Sequence, residues 1–454
     1  MKRNILILST TVALMSSCGI YTKYERPEDV QTEDLYGANV GGEELPSLAT
    51  LPWRELFKDP QLQALIEQGL ASNVDLEKAR LQVEQAQAGL RTARLAFLPS
   101  LALAPEGRVS SFDRSEAAFT YNAGAALSWE LDFFGKLRNA KEQSKAALMM
   151  SEEYKQAVQT GIVSGIANIY YTLLMLDEQL IASQQSADFM KETARIMSAL
   201  KDAGMQTEAG VAQARASAET MAISVLELNN AIQNTESAMC KLLCQVPQHI
   251  VRGKLSEQEL QKDLSLGVPL DMISNRPDVR AAEYALAQSF YGVNHARSSF
   301  YPNLTLGGTA GWTNNVGAIV NPGKLLLTAM ASLTQPLFSK GRLVANLKIS
   351  KAQYEQSKLD FQQAVINAGN EVNTALIQCQ TARKKAVHRK QQVDELERAV
   401  KNTRLLMEHG STMYLEVLTA EQSYLQAKVS QASDWFDEAQ GIVTLYKSLG
   451  GGTE

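Results

Sequence analysis

The chain repeats itself once, and that duplication restricts its possible folds more than any other feature. Asp75-Leu76 with Ala79 returns as Asp278-Val279 with Ala282, and Ala93-Arg94, Phe97 and Pro99 return as Ala296-Arg297, Phe300 and Pro302, both 203 residues on. Further along, Leu127, Leu131 and Leu137 return as Leu333, Leu337 and Leu343, and Gly204, Val211 and Ala214 as Gly410, Val417 and Ala420, now 206 residues on. A shift that is constant except for one step across a loop marks two copies of one structural module.

Each module contains a long helix with a coiled-coil period. Ile162, Ile166, Ile169, Leu173, Leu176, Leu180, Ser183, Ala187, Met190, Ala194 and Met197 step alternately by four and three. The second series is Ala368, Val372, Ala375, Cys379, Ala382, Ala386, Arg389, Val393, Leu396, Val400 and Thr403, with its polar break, Arg389, opposite Ser183. A period of 3.5 predicts helices packed lengthwise on neighbours, and the many alanines allow close approach. Neither Pro nor a Gly pair interrupts 137–201 or 343–408. About 65 residues at 1.5 Å rise make a rod of roughly 100 Å, far longer than a globular core needs.

Two strand-like segments precede each rod. Tyr121, Ala123, Ala125, Leu127, Trp129 and Leu131 alternate with small or polar residues, as do Leu304, Leu306, Gly308, Ala310 and Trp312, and Leu325, Leu327, Ala329, Ala331 and Leu333. Leu101 to Ser110 is the weakest of the four segments. Period two over about ten residues predicts a lipid-facing wall with a wet inner side, with Trp129 and Trp312 at the membrane interface. A half-buried sheet in a soluble domain carries the same alternation. Four strands do not close a barrel, since known ones start at eight. The wall is therefore expected to be shared: two copies give eight strands around a filled interior, and three give twelve around a passage.

The N-terminus reads as a targeting segment. Lys2 and Arg3 precede an apolar stretch, Ile5 to Met15, too short to span a bilayer, and Met15-Ser16-Ser17-Cys18-Gly19 follows. Small residues before Cys18 are similar to a lipobox, with cleavage before Cys18 and acylation of its thiol; Gly19, not Asp, favours outer-membrane sorting. The formal charge of −5 becomes −7 once Lys2 and Arg3 are removed, which argues against a nucleic-acid binder, since no excess of Lys and Arg is there to neutralise phosphates. The four cysteines do not make a disulfide framework.

With these features in place, the motifs are specific. They are Leu51-Pro52-Trp53-Arg54-Glu55-Leu56-Phe57-Lys58-Asp59-Pro60, Leu127-Ser128-Trp129-Glu130-Leu131-Asp132-Phe133-Phe134-Gly135-Lys136-Leu137-Arg138, Arg276-Pro277-Asp278 and Phe300-Tyr301-Pro302. Gln335-Pro336-Leu337-Phe338, Gly341-Arg342-Leu343 and the ending Leu445-Tyr446-Lys447 complete the set. Together the chain resembles the TolC-like outer membrane factors, in particular the NodT-type outer-membrane lipoproteins of RND efflux systems. The resemblance implies a mainly α chain with a β-barrel part. It implies a homotrimer whose copies each give four strands to a shared 12-stranded barrel in outer-membrane lipid, above a periplasmic α-barrel of coiled-coil helices. It also implies a periplasmic membrane-fusion adaptor and an inner-membrane RND-type pump as partners, and export without catalysis. By the same resemblance Gly204, Met205, Thr207, Gly410, Ser411 and Tyr414 mark the periplasmic tip where an adaptor docks. Glu416 and Thr419 stand at aperture positions, Thr419 where relatives often carry Asp. The corresponding segments are 1–17 signal peptide, 18–60 lipid-anchored extended segment, 61–254 and 255–450 the two repeats, and 451–454 tail.

Other signals carry less. Cys240 and Cys244 lie on one side of a helix with Leu242 and Leu243 between them, and read as buried thiols near a helix end rather than soft-metal ligands. The fourteen methionines are scattered, and Met190 and Met197 lie on the packing seam. His249, His295, His388 and His409 lack ligand spacing, and Gly450-Gly451-Gly452 reads as a flexible tail. No cofactor is expected beyond the lipid on Cys18, and no catalytic constellation is present. A type I protein-secretion duct and a periplasmic coiled-coil scaffold without a pore are the alternative readings.

Overall fold

The computed structural model describes residues 22–27, 51–111, 113, 116–260, 276–316, 318–409 and 414–452. The signal segment, Cys18, Gly410 and Ser411 lie outside them. The described elements run α1 (Trp53–Leu56), α2 (Pro60–Ser72), α3 (Val74–Leu95), β1 (Ser100–Leu103), β2 (Glu106–Ser110), β3 (Ala118–Leu131), α4 (Lys136–Asp202) and α5 (Glu208–Leu242). After a short 3-10 turn at Leu255–Glu257 come α6 (Pro277–Ser298), β4 (Asn303–Asn315), β5 (Ile319–Thr334), α7 (Arg342–Glu408) and α8 (Tyr414–Ser448). The two rods are 67 residues each, as the uninterrupted heptads require. The chain divides into two compact units, Met1–Gln31 with Leu81–Glu153 and Arg280–Ala364, and Thr32–Arg80 with Tyr154–Val279 and Val365–Glu454.

The first unit holds one antiparallel sheet of order β1-β3-β4-β5, with β2 also on β3. The weakest strand-like segment is two strands, not one: it breaks between Leu103 and Glu106, at Ala104-Pro105. The two hairpins share one register. Leu304 opposes Leu333 in β4·β5, and its counterpart Leu101 opposes Leu127 in β1·β3, so the repeat offsets carry one ladder onto the other. Where β3 turns into α4, Gly135 takes φ 72° and Asp132 accepts from the backbone N–H groups of Leu137 at 3.1 Å and Arg138 at 2.8 Å. These bonds satisfy donors that a helix start leaves open. Tyr301, from the junction before β4, stacks on Phe134 at 5.1 Å. Gly341 repeats the positive φ, 79°, at the start of α7.

The second unit is held by an aromatic and aliphatic core. Trp53, Phe57, Tyr170, Tyr446, Leu173 and Ile166 are fully buried in it. The Trp-Arg-Glu-Leu-Phe motif is explained by this core, because α1 exists to insert Trp53, Leu56 and Phe57. Asp59 caps α2 by accepting from the Gln61 N–H at 2.8 Å, with Pro60 at the first helical position, where a missing N–H costs nothing. Its other oxygen accepts from Tyr170 at 2.5 Å and from Gln258 at 2.7 Å. Along the rods the seam is buried or half-buried at every heptad position, including Ile162, Ile166 and Leu173 on α4 and Ala368, Val372 and Ala375 on α7. Gly441 of α8 faces Cys379 of α7 so closely that a Cβ there would stand 2.6 Å from Sγ.

The ends of helices differ from the sequence reading at two points. Gly450 takes φ 84°, its N–H donates to Lys447 O at 3.0 Å, and Gly451 N–H donates to Tyr446 O at 3.0 Å. Gly451 and Gly452 are buried, and a Cβ on Gly451 would overlap the Tyr446 ring. The terminal glycines are therefore a packed helix cap and not a loose tail. At the end of α5 the same bonding pattern places Cys244 at φ 54°, exposed, while Cys240 is buried and its thiol points to Gln248 O at 3.6 Å. The pair was expected to be buried together; the helix stops between them, and only Cys240 is.

Candidate functional site

Two regions carry the chemistry expected of a conduit: the sheet wall in the first unit and the hairpin ends in the second.

Because successive side chains alternate across a sheet, register alone sorts them into two faces. Rungs on one face run Leu101–Leu127–Gly308–Ala329, Leu103–Ala125–Ala310–Leu327 and Leu131–Leu304–Leu333. Rungs between them run Ser100–Ser128–Gly307–Met330, Ala102–Ala126–Thr309–Thr328 and Glu130–Thr305–Ser332. One face is thus apolar along β1, β3, β4 and β5, and the other is small or polar except where β5 places Leu326 and Met330 on it. Leu101, Leu103, Leu327 and Leu333 are exposed, which burial in a soluble core would not leave. On the polar face Thr309 and Thr328 share a hydroxyl hydrogen bond of 2.5 Å. The two aromatic residues expected at an interface behave differently. Trp312 is exposed, whereas Trp129 is half-buried and its indole N–H donates to Phe97 O at 2.9 Å. The central pair Gly124 and Gly311 lets β3 and β4 approach closely, since a Cβ on Gly311 would lie 2.5 Å from Ala123 O and overlap Gly124 Cα.

At the end of α4, Gly204 takes φ 76°; its N–H donates to Lys201 O at 2.8 Å and Met205 N–H to Leu200 O at 2.8 Å. This is the double-bonded left-handed cap that Gly favours. Thr207 opens α5, its hydroxyl accepting from Gly210 N–H at 3.2 Å, and Lys201 pairs with Glu208 across the turn. Met205 is exposed at the apex. In the second hairpin Tyr414 is buried with Met190, Met197, Val211 and Leu418, so this residue packs the ends of the two hairpins together from within. Glu416 and Thr419 are exposed on α8, and the Thr419 hydroxyl donates back to Leu415 O at 2.8 Å.

Ion pairs that the sequence did not disclose tie these helices together. Arg404 of α7 lies over the Phe189 ring of α4 at 3.9 Å and donates through Nε to Glu421 of α8 at 2.6 Å. Burial pushes the Glu421 carboxyl above its usual range, and Arg404 opposes that shift. Arg389, the polar break in the second heptad series, reaches Asp434 of α8 at 2.7 Å, and Lys385 reaches it at 3.0 Å. Arg252 holds Asp177 at 2.5 and 2.8 Å and Glu236 at 2.5 Å. Burial raises the Glu236 carboxyl, but the Arg252 and Ile250 hydrogen bonds outweigh it and leave Glu236 below the usual carboxylate range. Arg276 is buried, pairing with Asp278 at 2.6 Å and Glu371 at 2.7 Å while donating to Ser448 O at 3.0 Å. That is the physical content of the Arg-Pro-Asp motif: one guanidinium joins the start of α6 to α7 and to the end of α8. These long-range partners, such as Arg276 and the Ser448 carbonyl 172 residues away, have no spacing from which a sequence could announce them.

Among the described residues no group of three or more His, Cys, Asp and Glu is placed to hold a metal ion. No described helix is long and apolar enough to cross a membrane.

Comparison with known proteins bears on the same regions. The family model for outer membrane efflux proteins matches residues 65–245 and again 268–451, once for each repeat. The cation efflux system protein CusC of Escherichia coli O6:H1 is 28% identical over 98% of this chain and 98% of its own. The probable outer membrane lipoprotein SilC of Salmonella typhimurium is 26% identical over 99% of both chains. Among solved structures, the open state of the MtrE outer membrane channel of Neisseria gonorrhoeae superposes with a TM-score of 0.86 at 26% identity, over 96% of this chain and 99% of that one.

Proposed function

The chain belongs to the outer membrane efflux protein family, and on that premise we propose that it is the exit duct of a tripartite efflux pump, built as a homotrimer. Each copy gives its sheet to a shared 12-stranded barrel in the outer membrane and its rods to a periplasmic α-barrel. The observation that carries this reading is the sheet: one face apolar, the other mostly small and polar, and too few strands in one copy to enclose a lumen. The duct does no catalysis. An inner-membrane RND-type pump supplies the energy, and a periplasmic adaptor docks at the tip around Gly204, Met205, Thr207, Gly410, Ser411 and Tyr414, the last acting through packing. Glu416 and Thr419 line the aperture. The segmentation into signal peptide, extended segment and two repeats given above belongs to the same reading, as does acylation of Cys18, which fits a relative named as a lipoprotein. Small molecules leave by this path; their choice rests with the pump.

Planar bilayers test the proposal. Purified protein in detergent is expected to give discrete, cation-favouring openings. Protein that is folded and trimeric but never conducts, at any voltage or pH, overturns it.

A further inference from the structure

Where the sheet of the first unit hands over to its helices, the chain walls a cavity of about 530 Å³, the size of a small-molecule cleft. Three of the four strand residues in that wall, Glu130, Asn303 and Thr334, stand on the mostly small and polar face. Glu130 shares a rung with Thr305 and Ser332, and two residues along, on the same face, Asn303 opposes Thr334. The two repeats line the cavity with unlike charges. Advancing the first repeat by 206 sets Glu130, Asp132 and Lys136 over Pro336, Phe338 and Arg342. In the first repeat the charges are taken up: Lys136 pairs with Glu130 at 2.9 Å, and both Asp132 oxygens accept from backbone N–H groups of α4. In the second repeat both carboxylates are gone and the cation stays. Arg342 is exposed and lines the cavity, and its guanidinium has no hydrogen-bond or ion-pair partner among the described residues. The same wall carries a flat aromatic pair, Phe134 and Tyr301, stacked at 5.1 Å with 19° between their planes.

We propose that this cavity binds aromatic organic anions inside the duct, one per copy, with Arg342 holding the acidic group and the Phe134–Tyr301 pair taking the ring. The inference rests on the shared-barrel reading above, in which the polar face of the sheet is the lumen side and the cavity therefore meets whatever passes through. It adds a contact for cargo to a wall otherwise treated as inert. The chemistry selects the ligand class. A guanidinium presents parallel N–H donors that match a sulfonate or carboxylate. The aromatic pair supplies apolar area that a small inorganic ion would leave unused. A cationic ligand has less to bind, because Glu130 already serves Lys136 and Asp132 already serves α4.

Naphthalene-2-sulfonate is the probe, with 2-naphthylmethylammonium as its cationic counterpart. Titration calorimetry on the detergent-purified full-length protein, blanked against detergent alone, reads binding without requiring conduction. Wild type is expected to bind the sulfonate at one site per chain and the ammonium several-fold more weakly. Arg342→Gln should weaken the sulfonate roughly tenfold, through loss of one charge-assisted contact, and Arg342→Lys should keep most of the affinity. In planar bilayers the sulfonate should interrupt wild-type openings for longer than those of Arg342→Gln. Equal sulfonate affinity in wild type and Arg342→Gln overturns the proposal, as does equal binding of the two probes. An Arg342→Gln protein that no longer assembles overturns it too, because the arginine then serves a contact between copies. Sulfonate binding to protein that never conducts keeps the site and removes the duct; conduction without sulfonate binding removes the site and keeps the duct.

Discussion

Replacing Arg252 by Met should unsettle the second unit by an amount the structure sets. The guanidinium is nearly buried and serves Asp177 with two hydrogen bonds, Glu236 with one, and Ile250 O with one at 2.9 Å. Met keeps the volume but removes the guanidinium from both carboxylates, leaving Glu236 the Ile250 N–H and the exposed His249 ring at 2.8 Å. Removing one partner of a buried ion pair costs about 3–5 kcal/mol. Asp177 is about a third exposed and can regain water, so the lower end, about 3 kcal/mol, applies. With about 2.1 cal/mol/K of unfolding entropy per residue, a chain of this length unfolding cooperatively converts that into roughly 3 °C of melting temperature. The pH dependence has a definite sign. Glu236 is held below its usual range, so its contribution is complete above the unfolded carboxylate value and is lost as pH falls through the folded one. In the Met variant the share of that depression that Arg252 supplies is lost while the Ile250 N–H bond remains, so the gap to wild type should narrow between pH 7 and pH 4. Differential scanning of the detergent-purified proteins reads both effects. A gap under about 1 °C at pH 7, or one that stays constant down to pH 4, contradicts the reasoning.

Gly311→Val should lower the yield of folded protein in the outer membrane sharply, because its Cβ meets the β3 backbone and overpacking costs about 1–3 kcal/mol; heat-modifiability on gels reports it. Gly204→Ala, at φ 76°, should cost about 1–2 kcal/mol locally and speed amide hydrogen exchange over 200–206 without shifting exchange at 440–449. Glu421 titrates above its usual range because of burial, so its stabilising share is complete at low pH and lost as pH rises through its folded value; Glu421→Gln should abolish that gain on acidification, measured as melting temperature from pH 7 to pH 5. Glu416→Ala should reduce cation preference in single-channel recordings; unchanged reversal potentials would remove Glu416 from the aperture.

The rods are legible almost to the residue because a heptad seam constrains every third or fourth side chain over about ten turns of each, neither Pro nor a Gly pair interrupts the remainder, and the first ends where Gly204 enters its cap. The sheet faces were legible for the same reason, period two being enforced by geometry. The break at Ala104-Pro105 was missed because the alternation on both sides stays in phase, so only the backbone N–H that Pro105 lacks marks it. Trp129 was read from its position near a strand end, but its indole N–H is used by Phe97 O, 32 residues away. Arg389 looked like a flaw in the seam and is the partner of Asp434, on another helix. The resemblance assigns Tyr414 to the tip; in the structure it is packed against Met190, Met197, Val211 and Leu418, with a buried hydroxyl that has no hydrogen-bond partner among the described residues. Local chemistry announces itself by spacing, whereas an ion pair between helices does not.

How many chains surround the lumen decides most. Native mass spectrometry of the mature protein extracted from outer membranes should return three copies and nothing smaller that is stable. A single copy, freely soluble once detergent is withdrawn, would mean that these strands never complete one another around a channel.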